Sequence, residues 1–252
     1  MDYMNKIKQI YQIIKESHDI VFFGGAGVSV ESGIPDFRSS NGLYSEKIGN
    51  IPVETILSGT FFKHCPSEFY DFYKSKMIYI NAKPNPCHLF LTELENKGKL
   101  KAIITQNIDG LHTIAKSKNV LELHGTIHSN YCTKCYQKFN LDYILNSKGV
   151  PICDKCGGII KPDVVLYEEQ LDHHVLIAAI DSINKCDTLI IGGTSLTVYP
   201  AAGLINYFQG KNLIILNKSK VEINKLPHLN IIEINENIGK VCEDLNRMLG
   251  DE

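Results

Sequence analysis

Six short apolar runs, separated by stretches of helical periodicity, limit what this chain can fold into more than any other feature. They are Asp19–Gly24, Leu100–Thr105, Val120–Leu123, Thr188–Ile191, Asn212–Leu216 and Ile231–Ile234. A continuous apolar run of this length reads as a strand buried on both faces. Between the runs the period changes. Ile7, Ile10, Tyr11 and Ile14 stand at i, i+3, i+4 and i+7 within Lys6–Lys15, the spacing of an amphipathic helix. Cys87–Lys97, His174–Ile183, Ala201–Phe208 and Ile238–Met248 also read as helical. Strand–helix alternation predicts an α/β fold with a mostly parallel sheet covered on both faces. Ligands of such sheets bind beyond the carboxyl ends of the strands.

Two stretches break the alternation. Pro35 to Lys83 holds no convincing strand and carries the aromatics Phe61, Phe62, Phe69, Tyr70, Phe72 and Tyr73. Tyr131 to Lys161 contains paired cysteines. A chain of 252 residues fits one main domain with such excursions building a smaller second lobe. The cleft between the lobes is then the place for a site.

Of eight cysteines, four stand in two pairs, Cys132-x2-Cys135 and Cys153-x2-Cys156, with 17 residues between the pairs. This spacing fits tetrahedral zinc. Four thiolates leave no coordination position for water, so the metal would be structural. A redox Cys-x-x-Cys is the other reading, but it needs only one pair. Cys65, Cys87, Cys186 and Cys242 are scattered. The N-terminal residues lead into no apolar signal segment, and no stretch approaches the ~18 apolar residues of a membrane span. The expectation is a reducing, cytoplasmic setting and no membrane partner. With 26 Lys+Arg against 28 Asp+Glu there is no basic excess for a polyanion, and only Arg38 and Arg247 are arginine. Direct nucleic-acid binding is not expected.

The first strand ends in Gly24-Gly-Ala-Gly27, where Gly25 and Gly27 allow a tight turn and close backbone approach to a pyrophosphate at the N-terminus of a following helix. The usual third glycine is replaced by Val30, and the acidic residue closing a second strand is missing, so the standard dinucleotide fingerprint fails. A tight turn without a ligand fits the glycines as well. Arg38 is a phosphate partner or a solvated loop charge. Gln106, Asn107 and Asp109 follow another strand end; one of them would suffice as a helix cap, and three polar side chains in four positions favour a site. His124, before Gly125, could be a general base or a structural histidine. Thr194, Ser195 and Asn217 continue the row of hydrogen-bonding groups at strand ends.

These segments, in this order, resemble the sirtuins, NAD-dependent protein lysine deacylases, in their bacterial form. The resemblance rests on Gly25-Ala-Gly-Val-Ser-Val-Glu-Ser-Gly-Ile-Pro-Asp-Phe-Arg38, Thr105-Gln-Asn-Ile-Asp-Gly-Leu-His112, His124-Gly125, the four paired cysteines and Gly193-Thr-Ser195. Pro84-Asn85, His88, Val164–Tyr167 and Val198-Tyr-Pro-Ala-Ala202 add to it. It implies a modified Rossmann domain, a doubly wound parallel sheet, with an inserted lobe made of a zinc-ribbon module and a helical, cofactor-loop segment. The Rossmann-like domain would comprise 1–34, 84–127 and 162–252, the cofactor loop and helical module 35–83, and the zinc module 128–161.

The family chemistry consumes NAD, which accounts for the failed hydride-transfer fingerprint. The resemblance implies that an acyl-lysine oxygen attacks the ribose carbon bearing nicotinamide, expelling it. His124 then deprotonates a ribose hydroxyl that captures the acyl group, giving O-acetyl-ADP-ribose. Ser29, Phe37, Asn107, Ile108 and Asp109 would line the nicotinamide pocket, with His124 and Asn107 catalytic. Ala26, Arg38, Gln106, Thr194, Ser195, Asn217 and Ile238 would hold the rest of NAD, and Gly25, Gly27, Val30, Asp36 and Gly193 would complete the contacts. An acetylated peptide would enter as an added strand between Val164, Val165, Leu166, Tyr167 and Val198, Tyr199. Two departures from the family pattern stand out. Glu168 replaces the usual glycine after the aromatic residue. Tyr70-Asp-Phe-Tyr73 lacks the arginine of succinyl- and malonyl-preferring members, so neutral acyl groups, chiefly acetyl, are expected. An ADP-ribosyltransferase, a non-enzymatic NAD or ADP-ribose binding module and, weakest, a zinc-finger DNA binder are the alternatives.

Overall fold

The structure is a computed structural model describing residues 2–40, 42–45, 51–221 and 229–250. Residues 41 and 46–50 of the expected cofactor loop lie outside the described residues. Helix α1 (Tyr3–Glu16) buries Ile7, Ile10 and Ile14 as its periodicity predicts, with Ile13 buried in addition and Tyr11 half-buried against the same core. Strand β1 (Ile20–Gly24) follows, then helices α2 (Val53–Ile56), α3 (Gly59–His64), α4 (Pro66–Lys76) and α5 (Pro86–Asn96), strand β2 (Leu100–Thr105), helix α6 (Leu111–Ile114) and strand β3 (Val120–Glu122). The chain then forms β4 (Gly125–Cys132), β5 (Lys138–Asn140), α7 (Leu141–Asn146), β6 (Ile160–Val164) and α8 (His173–Lys185). It closes with β7 (Thr188–Gly192), β8 (Asn212–Leu216), β9 (Asn230–Ile234) and α9 (Ile238–Gly250).

The large sheet runs β3-β2-β1-β7-β8-β9 and every pairing is parallel. All five residues of β1 and of β7 are buried. Alternate residues feed different cores, as the two-residue strand period requires. Ile20, Phe22, Ile103, Ile190 and Ile214 pack with α1, α5 and α9. Val21, Phe23, Ile104, Ile191 and Ile215 pack under α8 and the Ala201–Tyr207 segment. Chain order reverses between β1 and β7, so a crevice opens at their carboxyl ends.

Two expected helices differ. After β1 the chain makes only short 3-10 turns, Ala26–Val28 and Val30–Ser32. Gly33 in the left-handed region (φ 84°) and then Pro35 stop any longer helix. Ala201–Tyr207, with Pro200 before it and Gly203 within it, is likewise 3-10.

The second lobe has its own core. Val53, Ile56, Phe62, Phe69, Tyr70, Phe72 and Tyr73 from the helical excursion pack against Ile127, Ile144, Ile160 and Leu166. Its antiparallel sheet has the order β5-β4-β6. Among the described residues the Pro35–Lys83 excursion contains no strand, although Ser58 forms a bridge to Tyr167.

Candidate active site

The floor of the crevice is built from backbone. Gly25 N–H donates to Gly192 O at 3.2 Å and Gly27 N–H to Gly193 O at 2.8 Å. A Cβ on Gly27 would stand 2.7 Å from the Gly193 Cα, and Gly193 adopts φ 57° with Val28 N 2.3 Å from any Cβ of its own. These glycines thus let two loops touch, one from each side of the switch point. Val30 is 46% exposed and does not share this contact, so the third fingerprint glycine has no counterpart to approach here. Ala26 is half-buried beside the turn.

Side chains from β1 and β2 then interlock. Ser29, 1% exposed, donates from Oγ to Asp109 Oδ2 at 2.6 Å and accepts from Asn107 Nδ2 at 3.1 Å. Asp109 Oδ1 accepts from Leu111 N–H at 2.8 Å. Burial raises the Asp109 carboxyl pKa, and the bonds from Ser29 and Leu111 hold it down in part. Ile108 O accepts from Ile127 N–H, and its side chain packs against the small-lobe core. On the other side, Gln106 Nε2 donates to Thr194 Oγ1 at 3.1 Å, tying the ends of β2 and β7.

His124 follows β3. Its Nδ1 lies 2.9 Å from the Gln106 carbonyl oxygen. A carbonyl only accepts, so Nδ1 carries the proton and Nε2 is left with a free lone pair. Burial lowers the His124 pKa, opposed by that bond. The ring is therefore a neutral base at neutral pH. His124 O accepts from Val165 N–H at 2.9 Å, which sets the Val164–Tyr167 segment directly beside the histidine.

Other expected residues sit further out. Asp36 turns its own loop by accepting from Ser39 N–H at 2.8 Å, and Phe37 packs on Tyr44 at 5.4 Å. Arg38 lies over the Tyr44 ring at 5.3 Å, so its charge is stacked within the loop. Ser195 pairs with Thr197 Oγ1 at 2.8 Å, and Asn217 donates to Ser219 O at 2.8 Å at the end of β8. Ile238, 4% exposed, packs over Gly192. Val198 is half-buried and Tyr199 is 74% exposed.

Three residues without a role in the sequence reading also shape the site. Asn85 caps α5 and donates from Nδ2 to Val28 O at 2.7 Å and Ser32 Oγ at 2.9 Å, which pins the turn carrying Ser29. Asn-Pro ahead of an apolar periodic stretch is a cap signal, but its second role is visible only in three dimensions. Glu31 accepts from Gly239 N–H at 2.6 Å, joining the same turn to the start of α9. Tyr44 hydrogen-bonds Tyr167 through their hydroxyls, joining the loop to the expected peptide segment.

In the small lobe the four cysteine sulfurs lie within 4.8 Å of one another. Both knuckles have one geometry: Tyr136 N–H donates to Cys132 O at 3.0 Å and Gly157 N–H to Cys153 O at 2.9 Å. Tyr136 and Gly157 both adopt positive φ, 59° and 69°. Four converging thiols, two buried and two exposed, fit a structural zinc ion with no open position. At Glu168 the backbone keeps φ 75° despite the side chain, and the carboxylate accepts from Thr60 N–H at 2.9 Å. That bonding to Thr60 lowers the Glu168 pKa.

The Sir2 family profile matches residues 25–200, spanning the glycine turn, the β2 end, His124 and the cysteine module. This chain belongs to the Sir2 family. An NAD-dependent protein deacetylase of Clostridium perfringens is 60% identical over 239 residues, covering 94% of this chain and 97% of that protein. The NAD-dependent protein deacetylase of Clostridium acetobutylicum is 55% identical over 242 residues, covering 95% and 98%. A solved Sir2 structure with p53 peptide and NAD+ superposes with a TM-score of 0.83 at 36% identity, covering 98% of this chain and 99% of that one. This sirtuin has the family's two-lobed α/β fold, with the cysteine cluster in the small lobe and the polar row at the strand ends.

Proposed function

We propose that this sirtuin is an NAD-dependent protein lysine deacetylase that releases nicotinamide and transfers the acetyl group to ADP-ribose as O-acetyl-ADP-ribose. NAD is consumed as a co-substrate, and its cleavage supplies the driving force. The observation that carries this reading is the His124–Gln106 contact of 2.9 Å, which leaves His124 Nε2 as a base next to the Asn107–Ser29–Asp109 cluster. A non-enzymatic NAD or ADP-ribose binding module has no need of a tautomer-fixed base there.

In this reading His124 takes a ribose hydroxyl proton, and Asn107, Ile108, Asp109, Ser29 and Phe37 enclose nicotinamide and exclude water. The glycine turn, Gln106, Thr194, Ser195, Asn217 and Ile238 hold the remaining nucleotide. Holding both substrates in one crevice supplies the proximity that a weak amide oxygen nucleophile needs. In this reading 1–34, 84–127 and 162–252 bind NAD and 35–83 and 128–161 form the cover. Zinc on Cys132, Cys135, Cys153 and Cys156 holds the cover together.

Neutral acyl groups are preferred. Tyr70 and Tyr73 are buried at 0% and 1% exposure, and Lys74, whose ammonium lies 5.7 Å from the Tyr70 ring centroid, donates to Ser147 O at 2.6 Å and Gly149 O at 2.9 Å. It is therefore committed to backbone and unavailable to an acyl carboxylate. Mass spectrometry of products from NAD plus an acetyl-lysine peptide tests the proposal. The expected products, with one water consumed to release the lysine amine, are nicotinamide, free-lysine peptide and O-acetyl-ADP-ribose. ADP-ribose attached to protein would point instead to an ADP-ribosyltransferase, and faster turnover of succinyl- than acetyl-lysine peptide would overturn the acyl preference.

A further inference from the structure

Behind the expected peptide segment lies a charge pair with no part in the chemistry above. Lys161, on β6, is only 7% exposed. Its Nζ lies 3.0 Å from Glu169 Oε2 and donates to Val164 O at 2.9 Å and to Pro162 O at 3.3 Å. The ammonium also sits 5.8 Å from the Tyr131 ring centroid. All three of its protons are thus directed to acceptors. Glu169 Oε2 also accepts from Leu166 N–H at 2.9 Å, and Glu169 N–H donates to Leu166 O at 3.0 Å. The pair closes a ring around residues 162–169.

The backbone account of this segment is nearly full. Val165 N–H goes to His124 O, Tyr167 N–H to Leu57 O, and Tyr167 O receives Gly59 N–H, each at 2.9 Å. Lys161 takes Val164 O, and Glu169 takes both polar groups of Leu166. Outside the strand ladders, and among the described residues, the Val165 carbonyl and both backbone polar groups of Glu168 are left without a protein partner. An incoming extended chain therefore meets only these few groups, at fixed separations. A strand offering more free groups would let the peptide slip in register.

We propose that Lys161 and Glu169 are positioning residues for the acetylated peptide: their ion pair occupies the competing polar groups of 162–166 and so fixes one register for the added strand. This rests on the deacetylase reading. Lys161 itself reaches neither substrate, and its action is through the shape and free groups of the Val164–Glu168 backbone.

The test compares kcat, KM for an acetyl-lysine peptide, KM for NAD and peptide Kd by calorimetry in wild-type protein, Lys161→Met, Glu169→Gln and the double variant Lys161→Met/Glu169→Leu. Peptide KM and Kd should rise about tenfold or more in each variant, with NAD KM unchanged within about twofold. The double variant should melt closer to wild type than Lys161→Met does, because it leaves no lone charge buried. Unchanged peptide KM, a parallel rise in NAD KM, or failure of the double variant to fold would each overturn the positioning role. A wild-type protein that turns over no acetyl-lysine peptide would sink the deacetylase reading itself, whereas an active wild type with indifferent variants would sink this inference alone.

Discussion

His124 Nδ1 and the Gln106 carbonyl oxygen stand 2.9 Å apart, and this contact makes His124 a base. Burial lowers the His124 pKa from its ordinary value, so the neutral ring persists into mildly acidic solution. The acid limb of kcat/KM should accordingly fall below the ordinary histidine value of about 6.5. A pH–rate profile with its acid midpoint above 7 would contradict the assignment. Gln106 acts through its backbone, so Gln106→Ala should keep this midpoint while losing the Thr194 contact.

Ser29 joins Asn107 and Asp109 through one hydroxyl. In Ser29→Ala both partners lose a bond inside a buried site, at a cost of about 1–3 kcal/mol. The NAD KM should rise or kcat fall by about tenfold or more, with the peptide Kd unaltered. Wild-type kinetics in Ser29→Ala would remove this cluster from the site.

Much of this was readable in the chain because the central strands are buried on both faces and so leave unbroken apolar runs. Leu100–Thr105 and Asn212–Leu216 form the expected strands residue for residue. The cysteine spacing was equally direct, since each knuckle is a local turn. The short turns after β1 were not legible as such. Glycine tolerance at Gly33 competes with the apolar signal of Val28 and Val30, and sequence alone does not say which wins. Long-range contacts left no local signal at all: Glu31 meets Gly239 across 208 positions, and Tyr44 meets Tyr167 across 123.

Zinc should act on stability and on activity together. Cys153→Ser, or prolonged chelation, should release metal, lower Tm by several degrees and abolish deacetylation, because the small-lobe core includes Cys132 and Cys153. A metal-free Cys153→Ser protein with full activity would show that the module is dispensable.

Acid stability should follow a buried histidine pair. His88 and His112 pack with ring centroids 4.7 Å apart and planes tilted by 53°, and Asn85 N–H donates to His88 Nδ1 at 3.2 Å. Burial lowers the His88 pKa to about 4, and the His112 pKa lies well below its usual value for the same reason. The unfolded chain therefore binds more protons between pH 6.5 and 4. The contribution of His88 should be steady above pH 6.5 and fall as pH drops through that window, by about 3 kcal/mol, opposed in the wild-type total by Glu122, whose pKa burial raises to about 7. Denaturant midpoints of wild-type and His88→Gln protein from pH 7.5 to 4 check this; the variant should lose less stability on acidification, and identical pH slopes would contradict it.

Nicotinamide release measures the central claim most directly. It should require NAD and an acetyl-lysine peptide together and be absent with unmodified peptide; because His124 acts after nicotinamide leaves, His124→Ala protein that retains its zinc and its wild-type Tm should lose O-acetyl-ADP-ribose formation and multiple-turnover nicotinamide release. Nicotinamide release at the wild-type rate without acetylated peptide, or O-acetyl-ADP-ribose formation undiminished in His124→Ala, would contradict the account.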